Sequence, residues 1–244
     1  MTHIKDRRTI RKYSPKEVSD TLLHKLLNES SRAATMGNMQ LYSVVITRDS
    51  SMKSSLSPFH FNQPMINAPV VLTFCADFNR FSKWCEHREA SPGYSNFLSF
   101  INAASDTLLF TQAFCTLAEE EGLGTCYLGT TVYNPQGIID TLHLPKLTFP
   151  IATICLGWPA EAPSQTDRLP ISGIIHEETY SDYSPESLDE IYSYKESLSE
   201  NEAFVKINNK KTLAQVFTDC RYTKKDNEFM SEGMLKALKN QGFL

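Results

Sequence analysis

The chain has 244 residues and a formal net charge of −4, with 41% hydrophobic and 21% charged residues. That length buries a sizeable core in one large domain or two. The acidic balance argues against nucleic acid as the main partner, since phosphate-backbone binding rests on a broad basic surface. The apolar runs break before membrane-spanning length, and Met1 to Asp6 leads into charge rather than the apolar core of a secretory leader, so a cytoplasmic protein with no membrane partner is expected.

The first notable segment, Asp6-Arg7-Arg8-Thr9-Ile10-Arg11-Lys12-Tyr13-Ser14, concentrates three arginines and a lysine on this acidic chain. Planar guanidinium forks match phosphate oxygens bidentately, and Thr9 adds a neutral donor beside them. Val18, Leu22, Leu23, Leu26 and Leu27 then recur at helical spacing, which predicts an amphipathic helix from about Glu17 to Arg32. Residues 33–40 read as a loop, with Gly37 and Asn38 suited to turn conformations. Leu41 to Thr47 reads as a strand, and Pro69 to Ala76 as a buried central one.

Asn96 to Glu121 carries a wide apolar helical stripe, either the core of a large domain or the seam of an oligomer. It stops at Gly122-Leu123-Gly124, where glycine supplies a left-handed cap. A strand from Thr125 to Gly129 follows, then a helix opened by Asn134 as cap and Pro135 in the first turn, then a buried strand from Phe149 to Leu156. From Ser187 the chain is polar and helix-leaning, with a Lys/Asn-rich loop at Lys206 to Lys211 and a last helix at Glu228 to Lys239. The six cysteines are scattered without a Cys-x-x-Cys pair, which fits buried free thiols rather than a disulfide framework or a zinc site. The whole reads as one α+β domain with a C-terminal extension.

Familiar catalytic motifs are missing. Gly122-Leu123-Gly124 lacks the third glycine of a dinucleotide fingerprint and stands in a helix-to-strand context, the reverse of what that motif needs. His176-Glu177-Glu178 lacks the second histidine of a zinc-protease helix, and no nucleophile elbow or P-loop occurs. An enzyme without such machinery is one whose cofactor carries the chemistry.

The order Arg7-Arg8-Thr9-Ile10-Arg11-Lys12-Tyr13 resembles the opening signature of the FMN-dependent nitroreductase family. Four further segments resemble that family in the same order. They are the loop Arg32 to Gln40, which would lie against the flavin ring, and Asn62-Gln63 before Ala68-Pro69, whose amide would meet the pyrimidine edge. Then come Glu121 to Gly129, whose backbone would approach N5, and Leu156-Gly157-Trp158-Pro159 followed by Asp167-Arg168-Leu169-Pro170 and His176-Glu177. The last group resembles the oxygen-insensitive, NADPH-preferring branch that includes flavin reductase P.

The resemblance implies a nitroreductase-like α+β fold, a mixed, mainly antiparallel sheet flanked by helices, in a homodimer with FMN sites at the interface. It implies a core over residues 1–180 and a helical extension over 181–244 packing on the same domain. FMN would be held by Arg7, Arg8, Thr9, Arg11, Thr35, Gln40, Gln63, Leu128, Gly129, Thr130 and Arg168, with Asn62 one residue out of register as the competitor of Gln63 and Arg11 as the positive group near N1 and O2. The implied reaction is a ping-pong exchange in which NADPH or NADH reduces the flavin at N5, and a small electron-poor acceptor (a nitroaromatic, a quinone or free flavin) is reduced in turn. No metal is implied. Thr166 stands where relatives often carry a lysine, and Lys210-Lys211 is either the contact for a nicotinamide 2′-phosphate or a solvated basic loop. Two alternatives remain on sequence grounds, a non-catalytic flavin-binding protein on the same fold and a phosphate-ligand domain unrelated to flavin.

Overall fold

Four strands take up the β-branched and aromatic runs: β1 Tyr42–Thr47, β2 Val70–Asp77, β3 Gly124–Leu128 and β4 Thr148–Gly157. A computed structural model describes residues 4–244; Met1 to His3, the start of the segment read above as lacking a leader, lie outside the described residues. The strand order is β1-β2-β4-β3. Every residue of β2 and β4 is buried, as central strands covered on both faces require. Pro150, which cannot donate to a ladder, sits in β4 beside a register shift opposite Phe74 and Cys75, the kind of bulge at which an internal strand tolerates proline.

All three strand pairings among the described residues are antiparallel, so the mixed sheet expected above is corrected to an antiparallel one. The reason lies in the crossover. The chain leaves β2 at one end of the sheet and re-enters β3 at the other, which makes β2 and β3 run the same way. β4 then inserts between them and pairs antiparallel with both.

The helices are α1 Asp20–Ser30, α2 Ser50–Leu56, α3 Asn79–His87, α4 Phe97–Glu120, α5 Pro135–Thr141, α6 Pro185–Ser197, α7 Ser199–Ile207, α8 Leu213–Val216 and α9 Lys224–Gln241. The first starts three residues later than its apolar period suggested, because Ser19 accepts from the Leu22 N–H and fixes the N-terminus there. Asn96 caps α4 in the same way through Ser99 N–H. Asn134 does not cap α5: its amide instead donates to the Phe59 carbonyl at 3.4 Å. Lys206 lies in the last turn of α7 rather than in the basic loop.

The chain divides into two compact units, Met1–Gln165 with Met230–Leu244, and Thr166–Phe229. In the first, α1 and α4 cover one sheet face through Leu23, Leu26, Phe74, Phe110, Phe114 and Ile154. A second core cluster joins Phe78, Phe100 and Phe149 to Leu238 and Phe243 from the last residues described. Burying Phe243 completely contributes roughly 1.5–3 kcal/mol. The second unit holds α6, α7, α8 and a π-turn at Phe217–Arg221. No helix among the described residues is long and apolar enough to cross a membrane.

Candidate functional site

The basic segment is fastened to the edge strand β3 and to the chain just past β4. Ile10 N–H donates to the Thr125 carbonyl at 3.0 Å, Ser14 N–H to the Trp158 carbonyl at 2.8 Å, and Ala160 N–H to the Lys12 carbonyl at 3.0 Å. Glu161 Oε1 accepts the amides of Arg11 (2.6 Å) and Lys12 (3.0 Å), and the Arg11 bond chiefly holds its carboxyl below the usual range. The approach is close. A side chain on Gly124 would put Cβ 2.6 Å from Ile10 Cβ, which explains the second glycine after the helix stop, while Gly122, at φ +85°, is the stop itself.

With its backbone fixed, the segment presents its arginines differently. Arg7 Nε lies 3.5 Å from Glu119 Oε1, and that oxygen also accepts from Thr125 Oγ1 at 2.5 Å. Burial pushes the Glu119 carboxyl upward, opposed by Thr125 and Arg7. Arg7 therefore spends its charge on a buried acid. Arg8 and Arg11 are exposed and form no ion pair among the described residues; Arg8 Nη1 donates only to the Asp6 carbonyl, at 3.2 Å. Thr9 is half-buried between them. Arg8 lines a cavity of about 180 Å³ with Asp6, Ile10, Glu119 and Glu161.

Two more of the expected segments meet at the far end of β3. Phe61 and Asn62 are both left-handed, at φ +53° and +54°, and turn the chain into a 3-10 turn at Pro64–Asn67 that starts after Gln63. Asn62 Oδ1 accepts from Ser57 Oγ at 3.3 Å, whereas the Gln63 side-chain amide has no intramolecular bond among the described residues. That difference favours Gln63 over its neighbour as the residue free to meet a ligand. Leu128 is buried; Gly129 is exposed, with no atom within 4 Å of where a Cβ would stand. The Thr130 hydroxyl is 2.9 Å from His60 Nδ1, which ties the two segments together. Tyr13 and Met65 pack on a cluster containing Ile66, Cys126, Leu128 and Cys155. The basic segment, the Gln63 turn and the end of β3 thus share one locality.

His60 carried no sequence signal beyond its place two residues before Asn62. It is completely buried, and desolvation lowers its pKa to about 4. A base whose folded pKa lies below the unfolded value near 6.5 loses stability as pH falls through that unfolded value, and the loss is complete below the folded one. Melting temperature is expected to drop between pH 7 and pH 4.5 by more in wild type than in His60→Leu, by the equivalent of about 1–3 kcal/mol. Parallel pH profiles for the two proteins would exclude this role.

The loop at 33–40 is built elsewhere. Gly37, Asn38 and Gln40 are left-handed, at φ +53°, +56° and +54°. Thr35 Oγ1 donates to Asp106 Oδ2 and accepts from Gln40 N–H, so its hydroxyl is already committed. Arg80 donates to the carbonyls of Gln40 and Tyr42. Asp106 and Glu119, which anchor the loop and Arg7, lie thirteen residues apart on α4, about 20 Å at roughly 1.5 Å per residue. Within one chain the loop therefore stands beside the middle of that helix and the basic segment at its C-terminal end.

Arg168, Lys210 and Lys211 belong to the second unit. Arg168 is exposed, and its Nη1 donates to Thr166 Oγ1 at 2.9 Å and the Asp167 carbonyl at 2.8 Å, so the threonine at the usual lysine position orients the arginine. Lys210 is paired with Asp219 at 2.9 Å, and that bond raises its pKa. Lys211 is exposed and lines a cavity of about 400 Å³ with Lys206, Glu196 and Glu202. Of the six free cysteines only Cys220 is exposed; burial pushes Cys115 up to about 12 and Cys75 and Cys155 upward as well, which makes them poor nucleophiles. No group of three His, Cys, Asp or Glu among the described residues is arranged to hold a metal ion.

The Nitroreductase family model matches residues 4–158. The chain is 33% identical over 198 residues to the FMN reductase (NAD(P)H) of Bacillus subtilis strain 168, covering 80% of this chain and 79% of that one. It is 30% identical over 196 residues to the oxygen-insensitive NADPH nitroreductase of Salmonella typhimurium strain LT2, covering 79% and 78%. A crystal structure of a Bacteroides fragilis NCTC 9343 protein described as an oxidoreductase superposes with a TM-score of 0.98 at 65% identity, over 100% of both chains.

Proposed function

The chain belongs to the Nitroreductase family, and from that premise we propose that it is an FMN-dependent NAD(P)H oxidoreductase reducing small electron-poor acceptors. One observation carries the reading: two exposed guanidiniums, Arg8 and Arg11, are held without carboxylate partners on a backbone fastened to β3, on a chain of net charge −4. The donor set fits a flavin mononucleotide. Arg8 would hold the phosphate, with Thr9 as a neutral donor, and Arg11 would supply positive charge beside the ring; the family resemblance alone makes Arg168 a further phosphate candidate. Gln63 offers its unbonded side-chain amide to a polar edge, and the open face at Gly129 leaves room for a flat ring. FMN, when bound, supplies the two-electron chemistry between nicotinamide and acceptor. The chain's part is to bind, orient and polarise, which agrees with its lack of conventional acid–base machinery.

We extend the proposal to a homodimer with two sites, each completed by both copies. The roughly 20 Å between the two anchors on α4 supports this, because one chain alone leaves the Thr35–Gln40 loop far from Arg7 to Arg11. The exposed side of α4 supports it too. Phe97, Leu98, Ile101, Leu108 and Leu109 are exposed there, and no charged residue breaks that side before Glu120.

The test is the absorption spectrum of the purified protein, followed by steady-state NADPH and NADH oxidation with menadione or nitrofurazone. Bound flavin with turnover is expected. A yellow protein without turnover would point to a non-catalytic flavin binder, and a colourless one that takes up no added FMN would overturn the flavin reading. Discrimination between the nicotinamides is expected to be modest. Lys210 is already paired with Asp219, and lysine does not hold a phosphate bidentately. Lys210→Ala/Lys211→Ala is expected to lower kcat/KM for NADPH about five- to thirtyfold relative to NADH, about 1–2 kcal/mol, and less at high salt. Equal change for both nucleotides would remove these lysines from the site.

A further inference from the structure

From Phe97 to Ala118, α4 contains a single charged residue, Asp106, and it is 3% exposed. A carboxylate placed in an apolar helix is costly unless its oxygens are fully bonded. They are bonded by the loop. Oδ1 accepts from Met36 N–H at 2.9 Å; Oδ2 accepts from Thr35 Oγ1 at 2.5 Å and from Leu41 N–H at 3.2 Å. Thr35 Oγ1 accepts in turn from Gln40 N–H at 2.9 Å. One side chain thus grips both ends of a seven-residue loop and, through Thr35, its penultimate residue. Between the grips stand Asn38 and Gln40, non-glycine residues in the left-handed region. Such conformations persist only where the surroundings over-determine them.

We propose that Asp106 is a positioning residue that sets the shape of the Thr35–Leu41 loop and, through it, the affinity for FMN. The inference rests on the flavin reading above. Asp106 acts through the loop. It is a carboxylate because three donors arrive and none accepts, more than the two lone pairs of a side-chain amide oxygen can take. Asparagine has nearly the same volume, yet whichever way its amide turns, the NH₂ faces a donor: Met36 N–H on one side, Leu41 N–H and the Thr35 hydroxyl on the other.

The experiment compares Asp106→Asn with wild type in two readouts. Amide exchange of Met36 and Leu41, measured on flavin-free protein, is expected to accelerate at least tenfold in the variant. The FMN dissociation constant is expected to rise at least tenfold. Phe114→Leu, a buried core change in the same helix that touches no loop atom hydrogen-bonded to Asp106, controls for general destabilisation and is expected to hold FMN affinity within twofold. Thr35→Val, which removes the hydroxyl that bridges Asp106 and Gln40 N–H, should behave as Asp106→Asn. Wild type that binds FMN while Asp106→Asn binds it equally well would overturn this role alone. So would equal FMN losses in Asp106→Asn and Phe114→Leu at equal loss of melting temperature. Wild type that binds no FMN would overturn the flavin reading and this role with it.

Discussion

Arg8→Ala is expected to weaken FMN binding at least tenfold while leaving the melting temperature nearly unchanged. Arg8 is exposed, and its guanidinium has only the Asp6 carbonyl at 3.2 Å to lose. An exposed side chain of that kind shifts stability by no more than about 0.5 kcal/mol. A charge-assisted bond to phosphate is worth about 1.5–3 kcal/mol, which is roughly ten- to 150-fold in a dissociation constant. Arg168→Ala should follow the same pattern, because its bonds to Thr166 and Asp167 orient the guanidinium without neutralising it. Arg7→Ala should do the reverse. It leaves buried Glu119 without its cation and should cost about 1–3 kcal/mol of stability, whatever it does to flavin. Titration of FMN fluorescence with thermal melts on the three variants separates these outcomes. Dissociation constants within twofold of wild type for both Arg8→Ala and Arg168→Ala would remove the phosphate assignment.

The three arginines show how far the sequence could be read. Their position at the front of an acidic chain marked them as a group, and their type pointed to phosphate. Nothing in their order says that Arg7 faces Glu119 while Arg8 and Arg11 face solvent. That division depends on the register of Ile10 against Thr125, a contact between segments more than a hundred residues apart. Thr35 differs in a similar way. A loop hydroxyl among turn residues reads as a ligand contact, and only the fold reveals that Asp106 and Gln40 occupy it. A trace of Asp106 was present, as the lone charge in an apolar helical run. His60 left none, since its burial follows from how two turns pack at the end of β3.

For the fold, elements marked by a long period or by flanking glycine or proline were readable, β3 and α5 among them, and short helices without such marks were not. The extent of α4 differs from its apolar pattern by a residue at each end, because Asn96 and Gly122 are local signals that act within a turn of the helix they bound. The short helices α2 and α3 went unread. The first is serine-rich and the second mixes Arg80, Lys83 and Trp84 over nine residues, too few for a period to stand out. Strand pairing was the least legible. Whether β4 inserts between two strands running the same way is decided by the crossover through α4 and leaves no mark on the composition of any strand.

That same helix carries the largest predicted effect. Leu98→Glu/Leu109→Glu is expected to yield a folded monomer that binds FMN at least a hundredfold more weakly than wild type. Both leucines are exposed, at 69% and 50%, so glutamate there meets water in the single chain and should cost it little. In a dimer the same face would bury four unpaired carboxylates. Leaving one buried charge without a partner costs about 3–5 kcal/mol, so association should fail at micromolar concentration. Flavin should be lost with it. The Thr35–Gln40 loop and the Arg7–Arg11 segment lie about 20 Å apart along one α4, and a monomer offers only half of the contacts to any one ligand. Light scattering, circular dichroism and FMN titration on the same sample decide the matter. The expected triad is monomer mass, native spectrum and lost flavin. A monomeric variant that keeps wild-type FMN affinity would show that one chain builds the whole site, and the distance between Asp106 and Glu119 would then have to be bridged by a movement of the loop rather than by a second copy.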